Sequence, residues 1–138
     1  MTVTTGSCLC GDVRLELRGE PRFVAHCHCA NCRKAHGAGF VTFAGYAEEA
    51  LSIVDPCGRL ACFTQSDTGS TRRFCSRCGT QLLFAGERWA GEVHVAVAAL
   101  DAVPGMPTVH AYADRAPQWC PITDELPQYG GPEGNAPL

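Results

Sequence analysis

The stretch His26-Cys27-His28-Cys29-Ala30-Asn31-Cys32-Arg33-Lys34 decides how this chain folds, because three thiols lie within six residues. Residues two apart in a strand point the same way, so Cys27 and Cys29 can present sulfur to one point. The two-residue step to Cys32 predicts a tight turn that brings a third sulfur to that point. Three protein ligands leave a tetrahedral zinc ion with one open position, which is typical of a catalytic site.

Other interpretations of these three thiols remain open. A fourth ligand from His26, His28, His36, Cys57 or Cys62 would make the triplet a second structural zinc site. His26 and His28 alternate with the cysteines along the strand, so they face the opposite side and are poor ligands for the same ion. A redox pair or an oxidised cluster is the third interpretation.

The remaining clustered cysteines predict a closed, structural zinc site. Cys75 and Cys78, followed by Gly79, have the spacing of a zinc knuckle, in which glycine permits a left-handed backbone. This pair needs two more ligands. Cys8 and Cys10 form the only other pair without a third thiol attached. We therefore assign one four-thiolate zinc to these two pairs.

Composition and charge exclude several classes of protein. Ten cysteines in 138 residues, without a basic and apolar leader, favour metal binding in a reducing compartment over disulfides. No apolar run approaches the ~20 residues of a membrane span, so we expect a cytoplasmic protein without a membrane partner. The formal net charge of −3 argues against a nucleic-acid partner.

Alternation of polar and apolar residues predicts an all-β domain. We expect the first two strands to pair as a hairpin that carries the N-terminal cysteine pair at one end and the triplet at the other. Residues 111–121 should be irregular, because prolines block a long helix. The expected strands are 12–18, 23–26, 40–43, 51–54, 60–63, 81–84 and 92–97, with one helical turn at 30–36.

The length predicts a single domain over residues 1–126, followed by a flexible tail, 127–138, that is rich in glycine and proline. The isolated Cys57, Cys62 and Cys120 are expected to behave as buried apolar residues. His110 lies where the strands end, which makes it a candidate pocket residue.

With these residues in place, the chain resembles the glutathione-dependent formaldehyde-activating family, which also contains centromere protein V. The resemblance extends over about residues 4–128 and rests on three ordered cysteine motifs and one C-terminal segment. The family's C-terminal segment usually carries Trp near His110, whereas this chain has Tyr112. The matching stretches are Gly6–Gly11, His26–Lys34, Phe74–Thr80 and His110–Trp119.

The resemblance implies a fold of packed antiparallel sheets known as a β-tent, similar to the Mss4-like fold, with zinc-binding knuckles. The implied activity is that of a carbon–sulfur lyase, which joins its co-substrate glutathione to formaldehyde and yields S-hydroxymethylglutathione. The family's structural zinc ligands match Cys8, Cys10, Cys75 and Cys78, and its catalytic zinc ligands match Cys27, Cys29 and Cys32.

Basic residues near the thiols are the expected contacts of the glutathione carboxylates. We assign this role to Arg33, Lys34 and Arg73, with Arg72 as a further candidate. A solvated basic face is the alternative interpretation, and these cations also offset thiolate charge. The candidate proton carriers are His28, His36 and His110.

Two other functions remain open. A non-catalytic, zinc-stabilised binding module, as in the centromere branch, would need a basic extension that is not seen in this acidic chain. A metal or redox buffer would need exposed, reactive isolated cysteines. The sequence leaves the true substrate open, and also the choice between monomer and homodimer.

Overall fold

Strands make up most of the regular structure. A computed structural model describes residues 2–138, which form two units. The first unit comprises residues 2–22 and Ala44–Gly105, and the second comprises Phe23–Phe43 and Met106–Leu138. Each unit therefore combines segments that are distant in sequence.

The strands and the α-helix have the following bounds. They are β1 (Val3–Ser7), β2 (Arg14–Arg18), β3 (Phe23–Cys27), α1 (Ala30–His36), β4 (Val41–Ala47), β5 (Leu51–Val54), β6 (Leu60–Gln65), β7 (Ser70–Cys75), β8 (Gln81–Gly86), β9 (Glu92–Ala96), β10 (Val109–Ala111), β11 (Tyr129–Gly130) and β12 (Ala136–Pro137).

Two sheet arrangements occupy the first unit. One has the antiparallel order β1-β2-β5, and its alternating strand β2 buries Leu15 and Leu17 while the charged residues between and around them face solvent. The other has the order β9-β8-β7-β6, and neighbouring strands in it are antiparallel. Apolar residues of β8 and β9, such as Leu82 and Val95, are fully buried and form the core of this part.

The second unit places β3 between β10 and β4. β10 runs parallel to β3, and this register sets His110 opposite His26. β3 leads into α1, whose C-terminal cap is Gly37 in the left-handed conformation (φ 62°). β11 and β12 pair as an antiparallel hairpin, and Asp114 accepts a hydrogen bond from the Gly131 N–H at 3.0 Å.

The single domain over residues 1–126 and the flexible tail over residues 127–138, both expected from the sequence, stay predictions.

The all-β class predicted from the sequence is confirmed, and the helical turn at Ala30–His36 is α1. The predicted hairpin between the first two strands is wrong. β2 pairs with β1 and β5, whereas β3 pairs with β10 and β4. Alternation identifies a strand but not its partner, and β1 itself was not among the expected strands. Within residues 2–138, no helix has the length and apolar character to cross a membrane.

The isolated cysteines differ from the expectation of burial. Cys57 and Cys62 are exposed, so the prediction is wrong for both, and Cys120 is half-buried. Cys57 lies in a turn closed by a hydrogen bond from the Gly58 N–H to the Asp55 carbonyl. Cys62 lies on β6, at the end of its sheet, where outward-facing side chains meet solvent.

Replacing Leu17 with Ala tests the core of the β1-β2-β5 sheet. Leu17 is 0% exposed, so we expect Leu17→Ala to lower the free energy of unfolding by about 2–5 kcal/mol, because it leaves a cavity. Val3→Ala on the neighbouring strand is the control, because Val3 is 55% exposed and its truncation should cost no more than about 0.5 kcal/mol. Urea denaturation measures both, and equal losses would contradict the assigned core.

Candidate metal centres

Four thiols meet in the first unit. The sulfur atoms of Cys8, Cys10, Cys75 and Cys78 all lie within 4.8 Å of one another. The Cys8 and Cys10 sulfurs are 3.6 Å apart, and those of Cys10 and Cys75 are 3.8 Å apart. Four convergent cysteine sulfurs are the donor set of a closed, tetrahedral metal site. The structure therefore brings together the two pairs that were joined from sequence.

Two glycine-containing turns shape this four-thiol centre. Gly11 (φ 84°) and Gly79 (φ 79°) both adopt the left-handed conformation that other residues rarely accept. The Gly79 N–H donates to the Cys75 carbonyl at 2.7 Å and closes the turn between Cys75 and Cys78. This is the knuckle conformation predicted from the sequence.

Hydrogen-bond donors surround the sulfurs of the four-thiol centre. The Val13 N–H donates to the Cys8 sulfur at 3.3 Å, and the Thr80 hydroxyl lies 3.2 Å from the Cys78 sulfur. Hydrogen bonds from the Thr80 hydroxyl and backbone lower the pKa of Cys78 to about 5. The Asp12 N–H lowers the pKa of Cys10, but burial and the neighbouring thiols raise it to about 11. The centre thus favours thiolate at Cys78 first.

Arginine charge is also placed at this centre. Arg59 and Arg77 form ion pairs with Asp12 at 3.3 Å and 3.5 Å. A hydrogen bond to Cys10, together with the Asp12 charge, raises the pKa of Arg77. The Arg77 guanidinium can therefore offset negative charge on the sulfur.

Three thiols meet in the second unit. The sulfurs of Cys27, Cys29 and Cys32 lie within 4.8 Å of one another, with 3.6 Å between Cys27 and Cys32. Cys29 is the N-cap of α1, and its sulfur accepts the Cys32 N–H at 3.3 Å. Across residues 2–138, no fourth His, Cys, Asp or Glu donor atom joins this group. The triplet thus offers three ligands where the other centre offers four.

The crowding of the triplet favours the protonated thiol at Cys27. Hydrogen bonds with Cys29 and Cys32, followed by burial, raise the pKa of Cys27. A metal ion at this position would reverse that preference, because thiolates are its ligands and their protons are released on binding.

A chain of hydrogen bonds lies beside the triplet in the second unit. His28 Nε2 and His110 Nδ1 are 2.8 Å apart, and His110 Nε2 is 2.8 Å from a carboxylate oxygen of Asp124. The His26 ring stacks on His110 with 4.9 Å between centroids. Burial lowers the pKa of His28 to about 4, and the hydrogen bond from His110 lowers the pKa of Asp124. Neither His26 nor His28 joins the three sulfurs.

The expected glutathione contacts fall in both units. Arg33 and Lys34 lie on α1 of the second unit, and Arg33 Nε donates to the His28 carbonyl at 3.0 Å. Arg73 lies on β7 of the first unit. Arg72, the further candidate, is buried with its guanidinium 4.9 Å from the centroid of the Phe84 ring. The glutathione-binding role of these residues stays a prediction.

Three residues of these centres escaped the sequence analysis. Thr80 follows the knuckle directly and carries a hydroxyl, a local signal that could have identified it. Asp12 and Asp124 act through partners far along the chain, at Arg59, Arg77 and His110. Such pairings depend on tertiary structure and have no periodic signature in a single sequence.

The chain is similar in sequence to known proteins. A family model described as glutathione-dependent formaldehyde-activating enzyme matches residues 3–120. A Halomonas elongata protein named putative glutathione-dependent formaldehyde-activating enzyme is 31% identical over 124 residues, covering 85% of this chain and 79% of that protein. An uncharacterized lyase of Schizosaccharomyces pombe is 32% identical over 80 residues, covering 58% of this chain and 56% of that protein.

A solved structure is similar as well. The crystal structure of a Rhodobacter sphaeroides protein has a TM-score of 0.60 and 26% sequence identity, covering 72% of this chain and 89% of that chain. The strands and the two cysteine clusters define a class of small all-β domains suited to binding metal. Within that class, the chain belongs to the glutathione-dependent formaldehyde-activating enzyme family.

Metal removal should separate the two centres. We expect a chelator to empty the three-thiol centre at a lower concentration than the four-thiol centre, because fewer protein ligands hold its ion. Native mass spectrometry along a chelator titration would count the metal ions per chain. Cys32→Ser should abolish the metal release seen at low chelator concentration. Cys75→Ser should abolish the release seen at high chelator concentration. Release of both ions in a single step would contradict the difference between the centres.

Proposed function

We propose that the protein is a zinc-dependent carbon–sulfur lyase that joins glutathione and formaldehyde to form S-hydroxymethylglutathione. The observation that carries this proposal is the difference between the two clusters. The first unit gathers four sulfurs, a set that closes a tetrahedral ion, and the second gathers three. A three-ligand ion keeps one position for a substrate atom, so the triplet Cys27, Cys29 and Cys32 is the proposed catalytic centre.

Zinc is the proposed metal in both centres. Cysteine thiolates in tetrahedral sets select zinc among the abundant divalent ions, whereas Mg²⁺ and Ca²⁺ prefer oxygen ligands. Cys8, Cys10, Cys75 and Cys78 would hold a structural zinc. A bound zinc at the triplet would supply Lewis acidity, which lowers the pKa of a thiol and polarises an aldehyde oxygen.

The proposed reaction is balanced without any further reactant. The glutathione sulfur forms a bond to the formaldehyde carbon, the carbonyl double bond becomes a single bond, and the thiol proton ends on the oxygen. The reverse direction breaks the same carbon–sulfur bond. Catalysis therefore requires a site that orients the sulfur and moves one proton.

Hydrogen bonds around the triplet hold side chains that could orient the substrate. The Cys29 sulfur is fixed by the Cys32 N–H, and Arg33 is fixed by its bond to the His28 carbonyl. Arg33 and Lys34 on α1 supply positive charge that can attract the glutathione carboxylates. A cytoplasmic location would provide both reduced thiols and glutathione.

Zinc counting tests the metal assignment. We expect about two zinc ions per chain by native mass spectrometry, with the second lost in Cys29→Ala and perturbed by glutathione. Cys57→Ala is the matched control, since Cys57 is exposed and lies outside both clusters. Two zinc ions whose binding does not change on adding glutathione would favour a non-catalytic, zinc-stabilised binding module instead.

Turnover tests the reaction. Because glutathione and formaldehyde also combine spontaneously, the assay follows ¹³C-formaldehyde by NMR and subtracts the uncatalysed rate. Cys29→Ala should fall to that background, because the open centre is lost. Arg33→Ala should raise KM for glutathione with kcat little changed, as expected for a group that binds substrate and transition state equally. A wild-type rate equal to the background would overturn the lyase proposal.

A further inference from the structure

In the described part of the second unit, one nitrogen of a buried histidine ring makes no hydrogen bond. His28 is 1% exposed, and within residues 2–138 its Nδ1 has no hydrogen-bond partner. A buried polar atom without a partner is costly and requires an explanation. His28 also separates Cys27 from Cys29, so this atom belongs to the residue between two of the three clustered thiols.

The hydrogen-bond chain determines what that nitrogen offers. An ionised carboxylate can only accept hydrogen bonds, so the His110 Nε2–H group donates to Asp124. In a neutral His110 ring, Nδ1 is then the acceptor, and His28 Nε2 must donate to it across 2.8 Å. A neutral His28 ring with its proton on Nε2 leaves Nδ1 with a lone pair. The Asp124 carboxylate thus sets the tautomer of His28 through His110.

Other contacts hold the rings in place. Phe40 meets the ring of His26 edge-on at 5.0 Å and lies 5.3 Å from the ring of His28. The Thr42 hydroxyl lies 2.8 Å from His26 Nδ1. The parallel pairing of β10 with β3 fixes His110 opposite His26. Three imidazoles and an aromatic ring therefore form one packed cluster with a defined hydrogen-bond direction.

We propose that Asp124 and His110 are positioning residues that hold His28 as the Nε2–H tautomer, and that His28 Nδ1 accepts a hydrogen bond from the hydroxyl of a hemithioacetal, such as S-hydroxymethylglutathione, bound at the triplet. This rests on the proposed function, because the adduct is taken as its product. The only group on the adduct that distinguishes it from a simple thioether is that hydroxyl. His28 is buried beneath its neighbours, so a ligand would have to displace the partly exposed Phe40 side chain to reach the ring.

Asparagine and glutamine at position 28 separate this role from a structural one. Asn places a polar atom near the position of Nδ1 but loses the bond to His110, whereas Gln reaches toward His110 and loses the acceptor at Nδ1. We expect His28→Gln to lower kcat by about 10–100-fold with KM for glutathione little changed, and His28→Asn to lose less. The reverse order, or equal losses, would assign His28 a purely structural contact with His110 and overturn the proposal.

Substitution of Asp124 tests the positioning effect at a distance. Its side chain is 47% exposed, so Asp124→Ala should fold normally while His110 loses its acceptor. We expect kcat to fall by about tenfold and the His28 Nδ1 signal to change. Glu125→Ala, the neighbouring exposed carboxylate, is the control and should leave both unchanged. An unchanged kcat and spectrum in Asp124→Ala would contradict the proposal.

Nitrogen NMR gives a readout independent of turnover. The chain has five histidines, so ¹⁵N-histidine labelling of the zinc-loaded protein at pH 8 yields ten ring signals, and the position 28 variants assign those of His28. We expect the ¹⁵N chemical shift of His28 Nδ1 to be that of an unprotonated, pyridine-type nitrogen. This chemical shift should change when an equilibrium mixture of glutathione and formaldehyde is added. It should not change with S-methylglutathione, which has no hydroxyl. A protonated Nδ1, or equal shifts with both compounds, would overturn the proposal.

The turnover and NMR experiments distinguish a failure of the proposed lyase function from a failure of the role assigned to His28. If the wild-type rate equals the uncatalysed background, the lyase function fails, yet the NMR shift still decides whether His28 accepts from the adduct. If turnover and zinc content are as proposed and Nδ1 carries the proton, the lyase function stands and the assignment of His28 fails.

Discussion

Convergence of sulfur atoms is the constraint on which both units depend. Each cluster holds its sulfurs within 4.8 Å of one another. Thiolates at such distances repel strongly unless a cation lies among them, and thiols there lose solvent while gaining only weak hydrogen bonds. The turns at Gly11 and Gly79 and the cap of α1 at Cys29 are useful to the chain mainly because they bring these atoms together.

The surroundings of the clusters suit different tasks. The four-thiol centre is enclosed by donors to sulfur, including Val13 and Thr80, and by the arginines paired with Asp12. Such donors stabilise negative sulfur and leave it a poor reactant. The three-thiol centre instead includes His28 between two of its cysteines, and burial lowers the pKa of this imidazole. Rings of this kind can accept or donate a proton, which sulfur-directed amides cannot do.

Local spacing explains what the sequence could predict. The two cysteine pairs, the triplet and the helical turn at Ala30–His36 depend on neighbours within a few residues, and the structure brings these thiols together as expected. The partners of strands depend on distant segments instead. Alternation around Leu15 marks a strand buried on one face, but it contains no information that β1 and β5, rather than β3, lie beside it.

For the same reason, the hydrogen-bond chain of His28, His110 and Asp124 could not be predicted from the sequence. His110 was a candidate because it follows the strands, but its bonds to His28 and Asp124 arise from the parallel pairing of β10 with β3 and from a proline-rich segment without periodicity. Cys57 and Cys62 were expected to be buried because a free cysteine is usually apolar in behaviour. Their exposure follows from a turn and a sheet edge, which composition does not reveal.

The separation of the cluster residues along the chain has a consequence for biosynthesis. Cys27 and Cys32 are five positions apart, whereas Cys10 and Cys75 are 65 apart. A nascent chain can bring the triplet together as soon as α1 has left the ribosome, because closing a short loop costs little entropy. The other centre must wait until Cys78 emerges, and meanwhile its N-terminal pair has only two of its four ligands. During translation, the three-thiol cluster is therefore complete before the four-thiol cluster.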